Sequence, residues 1–121
     1  MNQASAHLLI VDDDPITLDL LKEVLSKEGY DVVTALSGEE AIGRGSDRVF
    51  DIVITDVRMG ETNGMEVLRS FKKLAPETTV IVITAFGSIE TAIEAIREGA
   101  FDYISKPFKL EEIKFTLRRA L

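Results

Sequence analysis

Five short apolar runs punctuate the chain: HLLIV (7–11), DVVTA (31–35), DIVIT (51–55), TVIVIT (79–84) and FDYIS (101–105). They are rich in β-branched residues, and the middle ones are continuously apolar rather than alternating. That is the pattern of strands covered on both faces, as in a parallel sheet. Between them apolar residues recur at helical spacing. Leu18, Leu21, Val24 and Leu25 form one stripe, and Val67, Leu68, Phe71 and Leu74 a second. Ile89, Ala92, Ile93 and Ile96 form a third, and Leu110, Ile113 and Leu117 a fourth. The segment 38–47 is weaker, because Gly43 and Gly45 disfavour helix, but Ala41 and Ile42 still read as a short helix.

Boundary residues agree with these periods. Asp14-Pro15 reads as an N-cap followed by proline at the first helical position. Ser37 and Glu40 have capping-box spacing, and Ser88 suits the N-cap of the helix carrying Ile89. Gly29 and Gly99 fit helix C-termini, and Pro76 ends the third helix. Strand alternating with helix five times predicts a single α/β domain of three layers, with no internal repeat and no second domain. Right-handed crossovers then bring all five strand C-termini to one edge, where such sheets bind their ligands.

That edge collects the chemistry. The first strand runs into Asp12, Asp13 and Asp14, the third ends at Thr55-Asp56, the fourth at Thr84-Ala85 and the fifth at Ser105-Lys106-Pro107. Taken singly, Asp14 is a helix cap, Lys106 a surface lysine and Thr84 a strand residue. Together they are harder to dismiss. Two unit charges about 4 Å apart repel by ~1 kcal/mol in water and ~4 kcal/mol at an effective dielectric of 20. Crowding Asp12, Asp13 and Asp56 therefore destabilises the fold unless a cation compensates. Hard oxygen ligands select Mg²⁺ or Mn²⁺, and Mg²⁺ adds substrate phosphate oxygens to its shell.

Composition narrows the field further. The 121 residues are 45% hydrophobic and 29% charged, a folded and not a disordered composition. Fourteen Lys and Arg against twenty-one Asp and Glu give a net charge of −7, so direct nucleic-acid binding by this domain is not expected. No apolar run approaches the roughly 20 residues of a membrane span, and MNQASAH carries no signal-peptide features, leaving the cytoplasm as the expected location. The absence of cysteine excludes disulfides and thiolate chemistry. The one histidine, His7, is expected to be a plain surface residue. Neither a P-loop nor a dinucleotide fingerprint follows the first strand.

Four blocks in order, VDDD (11–14), ITDVRMGETNG (54–64), VITAFGS (82–88) and DYISKPF (102–108), resemble the receiver domain of two-component response regulators end to end. The stretch TAFGSIETAIEAIREGAFDYISKPF resembles the nitrogen-regulator type, in which the receiver precedes a sigma-54-dependent ATPase module and a DNA-binding domain. The resemblance implies a flavodoxin-like doubly wound sheet of strand order 2-1-3-4-5. It implies that Asp56 accepts a phosphoryl group from a sensor histidine kinase. Asp13 would bind Mg²⁺ directly, Asp12 largely through water, with Asp56 and the carbonyl of Arg58 completing the protein ligands. Lys106 would pair with Asp56 or the phosphoryl oxygens, and the Lys106-Pro107 bond would be cis. Thr84 would be the switch hydroxyl and Tyr103 the switch aromatic. Arg58 and Phe86 would tune hydrolysis of the acyl phosphate.

On this reading the domain catalyses only its own phosphorylation and dephosphorylation. Its output face, the helix from 88 to 98, the strand from 101 to 105 and the helix from 110 to 121, would control transcription and form a homodimer. One departure from the family pattern is Gly60, where a proline usually follows the methionine, here Met59. The helix stopping at Leu121 suggests a receiver cut from a longer regulator. Two other readings compete. A Mg²⁺-dependent phosphohydrolase with an aspartyl-phosphate intermediate would need a second acid two past the nucleophile, where Arg58 stands, and cap insertions for which the chain has no room. An unphosphorylated adaptor of the same fold would be expected to have lost the acid pair, Asp56 or Lys106, and all are present.

Overall fold

The computed structural model describes residues 6–58, 63–84 and 89–121. The order of elements is β1 (His7–Val11), α1 (Pro15–Lys27), β2 (Asp31–Ala35), α2 (Gly38–Asp47), β3 (Ile52–Asp56), α3 (Gly64–Leu74), β4 (Thr79–Thr84), α4 (Ile89–Arg97), β5 (Asp102–Ser105) and α5 (Leu110–Ala120). All strands are parallel and the sheet order is β2-β1-β3-β4-β5.

Strand alternation divides the apolar runs between two cores. Leu9, Val11, Val53, Val80 and Val82 face α2, α3 and α4 and pack with Ala41, Leu68, Phe71 and Ala95. Leu8, Ile10, Ile52, Ile54, Ile81 and Ile83 face α1 and α5 and pack with Leu18, Leu21, Leu25, Ile113 and Leu117. Both sheet faces are dry, which is why the strands read as unbroken hydrophobic runs.

The caps follow the sequence. The Asp14 carboxylate accepts from the Ile16 N–H at 3.0 Å and the Thr17 hydroxyl at 2.8 Å, with Pro15 at the first helical position. These bonds, the Thr17 hydroxyl first, hold the Asp14 carboxyl below its ordinary pKa. The Ser37 hydroxyl accepts from the Glu40 N–H at 3.1 Å. Gly29 and Gly99 terminate α1 and α4 at φ of 101° and 107°. Ser88 lies outside the described residues.

Some expectations need correction. β3 covers 52–56 instead of 51–55: the Asp51 N–H donates to His7 O before the ladder begins, and Asp56 still pairs in register with Ile83. β5 begins at Asp102, not Phe101. In α4 the apolar stripe faces outward. Ile89, Ile93 and Ile96 are 67%, 47% and 43% exposed, and only Ala92 and Ala95 turn inward. Periodicity marks an apolar face but not the neighbour that covers it. Leu74 ends α3 exposed for the same reason. His7 is no free surface residue, because its Nδ1 lies 2.8 Å from Asp31 and 3.2 Å from Arg48, tying β1 to β2 and to the end of α2. Among the described residues no helix is long and apolar enough to cross a membrane.

The weak helix at 38–47 also becomes intelligible. A Cβ on Gly45 would fall 2.5 Å from Phe71 Cζ, so that position is kept small to let α2 pack on α3. Gly43 has nothing within 4 Å. Gly43→Ala should therefore raise stability by about 0.5–1 kcal/mol, read as a higher urea midpoint at unchanged slope.

Candidate functional site

At the C-terminal edge of the sheet, β1 and β3 end side by side and Lys106 follows β5. The Asp12 N–H extends the β1–β2 ladder to Ala35 O at 3.1 Å, and this pins Asp12 as a buried residue. Its Oδ1 accepts from the Asp14 N–H at 3.0 Å. Its Oδ2 is, among the described residues, the buried side-chain oxygen without a hydrogen bond; Lys106 Nζ stands 3.6 Å away, in ion-pair but not hydrogen-bond range. Burial pushes the Asp12 pKa up, and its neighbours do not cancel the effect.

Asp56 is 6% exposed. Its Oδ1 accepts from the Arg58 N–H at 3.1 Å and its Oδ2 from Lys106 Nζ at 2.5 Å. Burial lowers the Lys106 pKa, but the carboxylates of Asp56 and Asp12 together outweigh it and leave the ammonium above its ordinary value. Lys106 is placed by its own N–H, which donates to Thr84 O at 2.8 Å, and its bond to Pro107 is cis. Asp13 is exposed, yet Asp12, Asp13 and Asp56 offer oxygens that all lie within 4.8 Å of one another.

Three acids, one bearing an orphaned buried oxygen, against a single ammonium leave a negative pocket of hard oxygens suited to a divalent cation. No comparable group of His, Cys, Asp or Glu occurs elsewhere among the described residues.

Thr84 ends β4, 2% exposed, in the strand register of Val80 and Val82 and so on the face that carries α3 and α4. Tyr103 lies on β5, 43% exposed, in register with Val82 of β4. Arg58 has its backbone on Asp56 and its side chain in solvent. Phe86, Met59 and Gly60 lie outside the described residues.

One residue of the site escaped the sequence reading. Gly64 opens α3 under the acceptor strand, its N–H donating to Val57 O at 2.7 Å. A Cβ there would fall 2.1 Å from the Asp56 carbonyl oxygen and 2.7 Å from Val57 Cα. The available signal was Asn63 three before Glu66, an N-cap whose side chain accepts from the Glu66 N–H at 3.1 Å. Gly64→Ala must push α3 off the Asp56–Val57 backbone. We expect a loss of roughly 1–3 kcal/mol, since overpacking costs that much, and weaker divalent-ion binding by the folded variant in a thermal-shift titration.

A doubly wound parallel sheet with buried carboxylates and a lysine at its C-terminal edge defines an α/β domain with an acidic pocket able to hold a metal ion. A profile described as "Response regulator receiver domain" matches residues 8–118, and the chain belongs to that family. Over 121 residues it is 40% identical to the transcriptional regulatory protein ZraR of Salmonella typhimurium, covering 100% of this chain and 27% of ZraR. The chain thus spans about a quarter of the curated relatives it matches. The beryllofluoride-activated NtrC4 receiver domain dimer is similar at TM-score 0.88 and 34% identity, with 94% of each chain covered. The Thermotoga maritima response regulator TrrA, in complex with Mg²⁺ and BeF, is similar at TM-score 0.87 and 32% identity, covering 97% of this chain and 100% of TrrA. These relatives include sigma-54-dependent regulators of the nitrogen-regulator type, the narrower resemblance carried by residues 84–108.

Proposed function

We propose that this domain is a phosphorylation-controlled switch in which Asp56 is the phosphoacceptor. The observation that carries the reading is the Asp56 carboxylate held between the Lys106 ammonium and the Arg58 N–H, beside the orphaned oxygen of Asp12. Asp12, Asp13, Asp56 and the Arg58 carbonyl would hold Mg²⁺ or Mn²⁺. When bound, that ion supplies positive charge against the phosphoryl oxygens.

The chain's own residues do the rest. An Asp56 carboxylate oxygen attacks phosphorus in line. The new P–O bond forms as the P–N bond to the kinase histidine breaks, and the imidazole nitrogen keeps the electron pair. Lys106 offsets charge on the transferring oxygens, and its anchorage to Thr84 O keeps it in place. Attack of water on the acyl phosphate returns Asp56 and inorganic phosphate. The domain turns over no other substrate, and Arg58 and Phe86 tune the hydrolysis.

Thr84, on the α4 side of the sheet, responds to the phosphoryl group and shifts α4, β5 and α5, with Tyr103 following. The outward Ile89, Ile93, Ile96, Phe101, Tyr103 and Phe115 give that face an apolar surface. The NtrC4 receiver forms a dimer in its beryllofluoride-activated state, which supports self-association by this chain. A sensor histidine kinase is the donor and transcription the output. Incubation with acetyl phosphate and Mg²⁺ should add about 80 Da, the mass of one phosphoryl group, by intact mass spectrometry. Excess EDTA should prevent it. An unchanged mass under both conditions refutes the proposal.

A further inference from the structure

The packing of α4 differs from that of its neighbours. It buries only Ala92 and Ala95, while its three isoleucines point outward. What holds it laterally comes from α3. Arg69 Nε donates to Glu98, and Arg69 Nη2 donates to Glu94 Oε1 at 3.3 Å. Glu94 and Glu98 stand one turn apart, so a single planar guanidinium bridges both. One turn further along α3, the stem of Lys72 lies on Gly99, close enough that a Cβ there would sit 2.9 Å from Lys72 Cδ. All of these contacts fall at the C-terminal end of α4, on Glu94 in its last turns and on Glu98 and Gly99 just past it. Its N-terminal end is the one joined, through residues 85–88, to Thr84.

We infer that Arg69 is a latch: its bridge to Glu94 and Glu98 holds α4 in the arrangement where Lys106 pairs with Asp56, and so sets how readily the switch is thrown. This rests on the phosphoryl-switch reading above. A helix whose fully buried side chains are two alanines has little side-chain interlocking to fix its position on the sheet. The bridge supplies the specific restraint, and displacement driven from the Thr84 end has to break it. A mimic that binds only the displaced state has its apparent affinity reduced by the fraction of molecules already in that state. Loosening the latch raises that fraction without touching the acidic pocket.

The test is a beryllofluoride titration in the presence of Mg²⁺, followed by amide chemical shifts over residues 89–105. The samples are the parent chain, Arg69→Gln and the pair Glu94→Gln with Glu98→Gln. Exposed ion pairs are individually weak, so the midpoint should fall by about two- to fivefold in either variant. Combining all three substitutions should lower it no further than either set alone, because they break the same contact. Salt weakens exposed pairs, so 0.5 M chloride should lower the parent midpoint, relative to the salt effect in Arg69→Gln. A variant with a lower melting temperature but an unchanged or higher midpoint overturns the latch and leaves Arg69 a structural residue. A parent whose shifts ignore beryllofluoride sinks the switch reading and the latch with it, whereas a responsive parent matched by its variants sinks the latch alone.

Discussion

Asp56→Asn takes up no phosphoryl group from acetyl phosphate while the parent gains one, and the variant stays folded. Both halves of this expected result follow from the site. An amide oxygen is a far weaker nucleophile than a carboxylate and carries no charge to be offset, so the adduct should fall at least ~100-fold, to the detection limit. The fold survives because asparagine keeps an acceptor for the Arg58 N–H, which now sits 3.1 Å from Asp56 Oδ1. Lys106 loses its partner, but at 40% side-chain exposure it reaches water, and Asp12 remains 3.6 Å away. Removing one negative charge from the crowded pocket offsets part of the lost pair. The melting temperature should therefore move by a few degrees, about 4 °C per kcal/mol in a domain of this size. A full adduct on the variant, mapped by peptide sequencing to Asp13 or anywhere else, would remove Asp56 from the role of acceptor.

Asp12→Asn should make the metal-free protein more stable and the metal-loaded protein less so. The sign comes from burial. Asp12 has a pKa raised above its ordinary 3.8, first by desolvation. A carboxyl raised on folding stabilises the native state below its unfolded pKa and loses that contribution as pH rises through the folded pKa. At neutral pH the ionised Asp12 is thus a liability that the hydrogen bond from Asp14 and the ion pair with Lys106 do not erase. Asparagine can keep the bond from the Asp14 N–H through Oδ1 and removes the charge. With chelator present, the variant's melting temperature should exceed the parent's at pH 7, and the gap should close as pH falls toward 3.8.

With Mg²⁺ at about 100 times its dissociation constant, the parent gains about 2.7 kcal/mol, or roughly 10 °C. The variant should lose most of that gain. A variant that melts below the parent in chelator, or that keeps the full Mg²⁺ shift, would show that Asp12 is not held charged for a cation.

Much of the architecture was legible because burial on both faces leaves an unmistakable trace. No strand that is wet on one side reads TVIVIT. The acidic edge was equally legible, since parallel topology forces every strand C-terminus, and hence Asp12, Asp56, Thr84 and Lys106, to the same end. α4 misled because its stripe of isoleucines looks like a core face, and only the packing shows alanines beneath and isoleucines outside. Gly64 closes the block ITDVRMGETNG, and nothing in the sequence around it gives it a role of its own. The need for it appears only when the Asp56 carbonyl is found where a Cβ would go. His7 looked idle because its partners lie 24 and 41 residues away along the chain.

The sequence by itself determined the five βα units, the helix caps at Asp14 and Ser37, and which side chains share the acidic edge, because these follow from local periodicity and the handedness of crossovers. The tertiary structure alone decided that Asp12 keeps an orphaned oxygen while Asp56 is held from both sides, that α3 presses on the acceptor backbone through Gly64, and that Arg69 spans two carboxylates at the C-terminal end of α4. The physical reason is range. Propensity and hydrophobic period act over a few residues, whereas the electrostatics of a pocket depends on ångström-scale distances between groups that only the completed fold brings together.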